Sequence, residues 1–155
     1  MPDKPAPGHL TGPVLVSACL LGIPCRYDGA SKPCHEILEA KGLIPIPVCP
    51  EQLGGFPTPR PKAFFAGGDG RDVLRGAARV LNERGEDVTA GFVNGAWNAL
   101  KIAQLLGVRL AVLKEGSPSC GVNSVTVDGR KKAGIGVTAA LLAAEGIDVR
   151  AGDGS

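Results

Sequence analysis

The stretch Pro13-Val-Leu-Val-Ser-Ala-Cys19 has the composition of a buried β-strand that runs directly into a cysteine. Two later apolar runs repeat this arrangement: residues 43–48 precede Cys49, and residues 109–114 lead through a short spacer to Cys120. In an open parallel sheet, the carboxyl ends of the strands lie along one edge, and ligands bind at that edge. We therefore expect these three thiols to converge, although they are far apart in the sequence.

Strand-like and helical patterns alternate along the rest of the chain. The strand-like runs lie at 13–18, 43–48, 109–113 and 147–150, and the helical patterns lie at 32–41, 88–106 and 137–145. Such alternation is typical of βαβ units, so we predict an α/β protein with a parallel sheet. We assign residues 13–150 to one domain, residues 1–12 to a flexible N-terminal tail and residues 151–155 to a C-terminal tail.

The pattern breaks down between residues 50 and 87, where prolines and glycines are too frequent for long regular elements. An irregular segment of that length in a compact domain is usually a functional loop or lid, so we expect long irregular loops at the site. A short pair of strands at 77–81 and 124–127, with Asp128-Gly129 as a turn, is the one regular feature that we expect nearby.

Charge and composition exclude several function classes. The formal net charge of +2 gives no reason to expect a nucleic acid polymer or a membrane as partner. No apolar run approaches the roughly 18 residues of a membrane span, and the first twelve residues do not form a signal peptide. Without an export signal we expect a cytoplasmic protein, and in that reducing compartment five cysteines favour metal binding or catalysis over disulfides. We expect a monomer or a homodimer.

The cysteines divide into two groups. Cys19, Cys49 and Cys120 follow strands, whereas Cys34 falls on a predicted helix face and is interpreted as a small buried apolar residue. Cys25 lies in the loop after the first strand and is either a substrate-side thiol or a spare ligand. Three thiolates suit a catalytic zinc ion or an iron–sulfur cluster with one iron free of protein, and the spacing does not decide between them.

Polar residues beside these cysteines are the candidates for catalysis. Glu51 lies two residues after Cys49 and is either a general acid or base, or a solvated loop residue. Ser117 and Ser119 come just before Cys120, so their hydroxyls could donate to a bound sulfur or oxygen, or could simply form a Ser-Pro turn.

Two arginines and one helix start are the candidates for binding an anion. Arg26 and Arg60 fall in the loops that carry the proposed ligands, although a solvated surface arginine is the default for each. The segment Gly134-Ile-Gly136 opens the last helix, and we interpret it as a tight entry turn in preference to an anion site.

Several short motifs, in order along residues 13–150, resemble the TudS-type thiouracil desulfidase family, formerly a family of unknown function. The matching motifs are Ser17-Ala-Cys-Leu-Leu-Gly22, Cys25-Arg-Tyr-Asp-Gly29, Cys49-Pro-Glu51, Gly54-Gly55, Thr58-Pro-Arg60, Gly67-Gly-Asp-Gly70, Ser117-Pro-Ser-Cys-Gly121 and Gly134-Ile-Gly-Val-Thr138.

The resemblance implies a Rossmann-like open parallel sheet with helices on both faces and a [4Fe–4S] cluster held by Cys19, Cys49 and Cys120. It implies that the fourth iron binds the sulfur of a thiolated pyrimidine, such as 2-thiouracil or 4-thiouridine monophosphate. Water then replaces the sulfur and gives uracil or the uridine nucleotide and sulfide. It further implies that Glu51 transfers protons and that Ser117 is an active-site serine.

The substrate is less well determined than the cofactor. Many relatives carry a glutamate where this chain reads Lys62-Ala-Phe-Phe65, and the stretch Ser124-Val-Thr-Val127 also departs from the family pattern. We expect Tyr27 or Phe56 to stack on the base. A zinc hydrolase with the same three thiolates and a non-catalytic iron–sulfur carrier or sensor remain the alternatives.

Overall fold

The structure is a computed structural model that describes residues 11–152. Residues 1–10 of the predicted N-terminal tail and residues 153–155 of the predicted C-terminal tail lie outside the described residues. The first described strand begins at Gly12 and the last ends at Ala151. The domain limits of 13 and 150 stay a prediction.

Eight strands and five α-helices make up the described part of the chain. The strands are β1 (Gly12–Ser17), β2 (Leu43–Val48), β3 (Ala63–Ala66), β4 (Arg79–Asn82), β5 (Leu110–Leu113), β6 (Ser124–Val127), β7 (Arg130–Ala133) and β8 (Asp148–Ala151). The helices are α1 (His35–Glu39), α2 (Pro50–Leu53), α3 (Gly70–Leu74), α4 (Thr89–Leu105) and α5 (Val137–Ala144). A short 3-10 turn, Ala18–Leu21, follows β1.

The four strands that were predicted from apolar runs form one parallel sheet in the order β2-β1-β5-β8. Leu15 in β1 lies opposite Ile46 on one side and Ala111 on the other, and Leu113 lies opposite Ala151. The prediction of an α/β domain with a parallel sheet is therefore confirmed.

Both faces of this sheet are covered. Leu15 belongs to the larger apolar cluster, which it shares with Phe92 of α4 and Leu142 of α5. Val14 and Val16 point the other way, into a smaller cluster with Ile37 of α1. This split follows from the period of two in a strand, because successive side chains point to opposite faces.

The sequence correctly excludes long regular elements from residues 50–87, but the expectation of an irregular segment overlooks several short ones. This segment contains α2, β3, α3 and β4, each only four or five residues long, so the prolines and glycines limit length without preventing regular structure. Together with β6 and β7 these strands form a second, mixed sheet in the order β4-β3-β6-β7. The predicted strands at 77–81 and 124–127 correspond to β4 and β6, but β3 lies between them.

Other elements differ from the prediction in smaller ways. Helix α1 is shorter than the predicted 32–41, and Cys34 is its N-terminal cap rather than a residue on its face. The predicted turn at Asp128-Gly129 is confirmed as the hairpin between β6 and β7, where both residues adopt positive φ values of 51° and 80°. Helix α4 buries Phe92 and Leu100 as expected, but Leu106 lies beyond its end and is half exposed.

The strand order positions the functional site. Counted along the chain, the parallel strands have the order 2-1-3-4, so the connections leave β1 and β5 in opposite directions. Ligands bind in open α/β sheets in the crevice outside the carboxyl ends of strands at such a switch point. Here that crevice lies beyond Ser17 of β1 and Leu113 of β5.

Candidate active site

A cavity of about 320 Å³ opens at this edge of the parallel sheet. Ser17, Val48 and Lys114 line it from the ends of β1, β2 and β5. Of the sequence-predicted site residues, the cavity is lined by Cys19, Cys49, Cys120, Glu51, Ser117, Arg26, Tyr27 and Arg60. Thus the predicted residues are brought together at a single place, with the exception of Ser119 and Phe56.

Each of the three strand-end cysteines is held by a different element. Cys19 lies in the 3-10 turn after β1, Cys49 is the N-terminal cap of α2, and Cys120 lies in the loop between β5 and β6. Cys19 and Cys120 are buried, at 6% and 5% exposure. The convergence that the strand pattern predicted is therefore present.

Cys25 is a fourth thiol in the same cavity. It is 3% exposed, and its side chain is hydrogen-bonded to the thiols of both Cys19 and Cys49. The Cys49 thiol also donates to the Cys25 carbonyl oxygen at 3.7 Å. Cys34, in contrast, donates its thiol to the Gly152 carbonyl at 3.1 Å and is not among the cavity-lining residues.

The thiols influence one another's protonation. The hydrogen bond with Cys25 lowers the pKa of Cys19, and the same hydrogen bond raises the pKa of Cys25. The hydrogen bond in which Cys49 is the donor to Cys25, and then burial, raise the pKa of Cys49. Burial raises the pKa of Cys120 to about 12.

This donor set fits a soft metal centre. Several buried thiolates cannot coexist without a positive charge, and a metal supplies that charge when it displaces the protons. Thiolate ligands select zinc, copper(I) or iron–sulfur clusters over hard cations. Within residues 11–152, no group of three or more His, Cys, Asp or Glu side chains is arranged to hold a single metal ion.

Glu51 lies in the first turn of α2, at the wall of the cavity. Its Oε1 accepts a hydrogen bond from Arg60 Nε at 3.1 Å, in an ion pair whose side chains are only 15% and 5% exposed. Glu51 is therefore a partly buried, paired carboxylate and not a solvated loop residue.

Basic and aromatic side chains also line the cavity: Arg26, Lys62 and Tyr27 form a group that we call the rim. The Arg26 guanidinium lies 5.9 Å from the centre of the Tyr27 ring, and Lys62 Nζ lies 5.8 Å from the same centre. Sequence reasoning recognised Lys62 only as a departure from the family pattern and not as a cation of the site. Phe56 does not line the cavity, because it packs against Phe92 with the ring centres 5.3 Å apart.

The second sheet provides one wall of the cavity. Lys62 precedes β3, Ala63 and Phe64 lie in β3, and Thr126 lies in β6, and all four line the cavity. Because β3 was not predicted from the sequence, its contribution to the site was missed as well.

Glu115 organises the loop that carries Cys120, and sequence reasoning did not identify it. Although it is only 6% exposed, its carboxylate accepts the backbone N–H groups of Val122 at 2.8 Å, Asn123 at 2.9 Å and Ser124 at 3.0 Å. The Asn123 side-chain amide donates to it as well, at 3.0 Å. A glutamate two residues after a strand carries no pattern that would have signalled this role.

The other side of this loop rests on helix α5. The N–H of Val137 donates to the Pro118 carbonyl at 2.8 Å, and the N–H of Thr138 donates to the Ser119 carbonyl at 2.9 Å. A Cβ on Gly136 would lie 2.5 Å from the Ser119 carbonyl carbon, so only glycine allows this approach. These N–H groups are therefore engaged by the chain itself, as the entry-turn interpretation requires.

The two predicted serines have different environments. Ser117 lines the cavity, and its Oγ accepts the backbone N–H groups of Ser119 at 3.0 Å and Cys120 at 3.2 Å. Ser119 is 2% exposed and, like Phe56, does not line the cavity. Its Oγ has no hydrogen-bond partner among the described residues.

Comparison with known proteins places the chain in a family. The family model for 2-thiouracil desulfurase matches residues 14–153. The chain belongs to the 2-thiouracil desulfurase family. The span matched by this 2-thiouracil desulfurase model includes all the cavity-lining residues named above.

Two individual proteins are similar to this chain over most of their length. An uncharacterized protein of Bacillus subtilis (strain 168), YbbK, is 44% identical over 142 residues, which cover 88% of this chain and 93% of that protein. A solved structure described as a [4Fe–4S]-dependent thiouracil desulfidase, TudS, is 44% identical with a TM-score of 0.75, and 89% of each chain is covered.

No helix within residues 11–152 is long and apolar enough to cross a membrane.

Proposed function

We propose that this protein is a [4Fe–4S]-dependent desulfidase that removes sulfur from a thiolated pyrimidine with water. The reaction converts C=S and water into C=O and hydrogen sulfide, and it needs no oxidant or reductant. The observation that carries this proposal is the convergence of Cys19, Cys49 and Cys120 with Glu51 on one cavity, in a chain of this family.

Three cysteines would hold the cluster: Cys19, Cys49 and Cys120, which come from three separate strand ends. When bound, the cluster supplies a thiophilic iron without a protein ligand, which polarises the C=S bond of the substrate. A hard cation would not distinguish thiolated compounds from the abundant oxygen analogues, so thiolate ligation also supports the choice of substrate.

Glu51 is the proton-transfer group of the proposed reaction. It accepts a proton from the water that attacks the ring carbon and returns a proton to the departing sulfur. Ser117 assists by donating a hydrogen bond from its hydroxyl group to the substrate. Because its Oγ already accepts two backbone N–H groups, its own O–H remains available as a donor.

The basic rim of the cavity favours an anionic substrate. Arg26 and Lys62 lie on the rim beside Tyr27, and a nucleotide phosphate would place its charge near them. We therefore propose 4-thiouridine monophosphate as the preferred substrate type over the uncharged base 2-thiouracil. Tyr27 offers a ring for the base, which leaves the phosphate to the two cations.

The remaining expectations accompany this proposal. We propose that the domain is Rossmann-like, that it acts in the cytoplasm on small molecules and not on a nucleic acid polymer, and that it is a monomer or a homodimer.

Anaerobic purification followed by metal analysis and turnover tests the proposal. We expect iron and acid-labile sulfide in the protein, and loss of the thiocarbonyl absorbance when 4-thiouridine monophosphate or 2-thiouracil is added. About one zinc per chain and no sulfide would instead identify the zinc hydrolase. An intact cluster without turnover of either compound would identify the carrier or sensor.

A further inference from the structure

The guanidinium of Arg60 is almost fully occupied by the protein. Its Nε donates to Glu51 Oε1 at 3.1 Å and its Nη2 donates to the Cys25 carbonyl at 2.9 Å. Its Nη1 donates to the Pro57 carbonyl at 3.2 Å and to Thr58 Oγ1 at 3.0 Å. The side chain is 5% exposed.

This count decides against a role for Arg60 in binding the substrate's anion. A guanidinium has five N–H donors, and bidentate recognition of a phosphate uses two of them. The four hydrogen bonds above leave Arg60 with a single N–H. The Arg26 guanidinium, in contrast, makes a cation–π contact with Tyr27 at 5.9 Å, and no hydrogen bond from it is found among the described residues.

The same hydrogen bonds join the segments that build the site. The backbone N–H of Arg60 donates to the Tyr27 carbonyl at 2.8 Å, and its side chain reaches the Cys25 carbonyl in that same loop. From there it also reaches Glu51 in helix α2. One buried residue thus fixes the distance between the Cys25–Tyr27 loop and the carboxylate of Glu51.

The pairing is one-sided at Glu51. Arg60 holds Oε1, whereas Oε2 accepts no hydrogen bond from the described residues. Since Glu51 lines the cavity, this leaves one oxygen anchored and the other available to a proton from water or substrate.

We propose that Arg60 is a positioning residue that anchors Oε1 of Glu51 and directs Oε2 to the reacting atoms, and that it is not a ligand for the substrate's phosphate. This inference rests on the proposed desulfidase function, in which Glu51 transfers protons. It assigns the phosphate to the rim, at Arg26 and Lys62.

A double-mutant cycle with Glu51 tests the inference in the anaerobically purified holoprotein. Arg60→Gln should lower kcat by about 10²-fold, within the range of one acid–base group. The loss should be the same for 2-thiouracil and for 4-thiouridine monophosphate, with KM changed little for either. In the Glu51→Gln background, Arg60→Gln should cause no further loss, because the group that it positions is already absent.

Two readouts do not depend on turnover. Iron and sulfide contents of Arg60→Gln should equal those of the wild type. The affinity for uridine monophosphate, measured by calorimetry, should also be unchanged, whereas Arg26→Gln should weaken it. Arg84→Gln, at an exposed arginine in the turn after β4, is the control for removing an arginine without touching the site.

Three results would overturn the inference. The first is a fall in kcat that is confined to the nucleotide substrate. The second is a double variant whose loss of kcat is the product of the two single losses. The third is a lower iron content in Arg60→Gln than in the wild type. If Arg60→Gln does not fold, Arg60→Lys takes its place, because an ammonium cannot reproduce the fork that reaches both Glu51 and Cys25. A wild-type holoprotein that turns over neither compound would refute the proposed function itself, whereas an active enzyme with independent effects would refute only the role of Arg60.

Discussion

The carboxylate of Glu115 accepts the backbone N–H of Val122 at 2.8 Å and thereby closes the loop that carries Cys120. The backbone N–H groups of Gly116, Asn123 and Ser124 bind the same carboxylate, so both ends of the loop are tied to one side chain. The loop that carries this proposed cluster ligand is thus held by hydrogen bonds to a side chain that is outside the proposed ligand set.

Replacing Glu115 with Gln should destabilise the protein and weaken cofactor retention. The amide can keep an oxygen at the Oε1 position, but it lacks the negative charge that four backbone N–H groups share there, and its NH2 group would face the side-chain amide donor of Asn123. We expect the free energy of unfolding to fall by about 1–3 kcal/mol. Urea unfolding of the apoprotein measures this, with Glu145→Gln, at an exposed helix end, as the control. Equal stability and equal iron content in both variants would contradict this role for Glu115.

The stabilisation by Glu115 should disappear in acid. Burial by itself would raise the pKa of this carboxyl, but the backbone N–H bonds from Ser124, Asn123, Val122 and Gly116 outweigh it, so the pKa lies below its ordinary value of 4.5. A carboxylate with a lowered folded-state pKa stabilises the protein above the unfolded-state pKa, and this contribution is lost as the pH falls through the folded-state value. The difference in unfolding free energy between wild type and Glu115→Gln should therefore be largest at neutral pH and shrink below pH 4.5. A constant difference across this range would refute the electrostatic explanation.

Three single cysteine replacements should abolish cluster binding, and two should not. Cys19→Ala, Cys49→Ala and Cys120→Ala each remove a proposed ligand, so anaerobically purified variants should contain little iron or acid-labile sulfide. Cys34→Ala should retain the wild-type contents, because its thiol donates to the Gly152 carbonyl and does not line the cavity.

Cys25→Ser is the more demanding test. Its thiol contacts two of the proposed ligands, yet three strand-end thiolates already complete the proposed set, so this variant should keep its iron. Iron loss equal to that of Cys19→Ala would make Cys25 a ligand and leave the cluster without an open iron.

Glu51→Gln should separate chemistry from cofactor binding. We expect turnover to fall by about 10²–10⁴-fold, the usual contribution of one general acid–base group, while iron and sulfide stay at wild-type levels. Steady-state kinetics with metal analysis of the same preparation provides the measurement. The double variant Glu51→Gln with Gln52→Glu moves the carboxylate by one position and tests whether its placement matters. Full activity of Glu51→Gln would remove the proton-transfer role.

Neutralising the rim should change substrate preference. Arg26→Gln and Lys62→Gln remove cations beside Tyr27, so the KM for 4-thiouridine monophosphate should rise about tenfold for each, the equivalent of roughly 1.4 kcal/mol. The preference for the nucleotide over 2-thiouracil should fall accordingly and should weaken with added salt. An unchanged ratio of kcat/KM values for the two compounds would show that these cations do not recognise the phosphate.

The core of the parallel sheet could be predicted because its two central strands, β1 and β5, are apolar and buried on both faces. Runs such as residues 13–17 are rich in valine and leucine, and a strand covered on two sides needs that composition. The second sheet could not be predicted in the same way. Strand β7, Arg130–Ala133, is exposed along its whole length, and β3, Ala63–Ala66, has only four residues and follows three prolines.

The site residues divide along similar lines. The cysteines could be found because each follows a strand, and strand ends meet at one edge. The partners of Arg60 could not be found, since its hydrogen bonds to Cys25 and Glu51 depend on how two loops pack. The contribution of Lys62 and Phe64 to the cavity depended on the position of β3, which was not predicted, so this wall of the cavity was the least predictable part.

The proposed cluster ligands and this wall of the cavity come from different sheets. The proposed ligands Cys19, Cys49 and Cys120 follow strands of the parallel sheet, whereas Lys62, Ala63, Phe64 and Thr126 come from the second sheet and the residue before it. Mutations on the second sheet can therefore reshape what enters the cavity without moving a single sulfur ligand. Members of the family can therefore differ in the compounds that fit the cavity while they keep the same proposed cluster ligands.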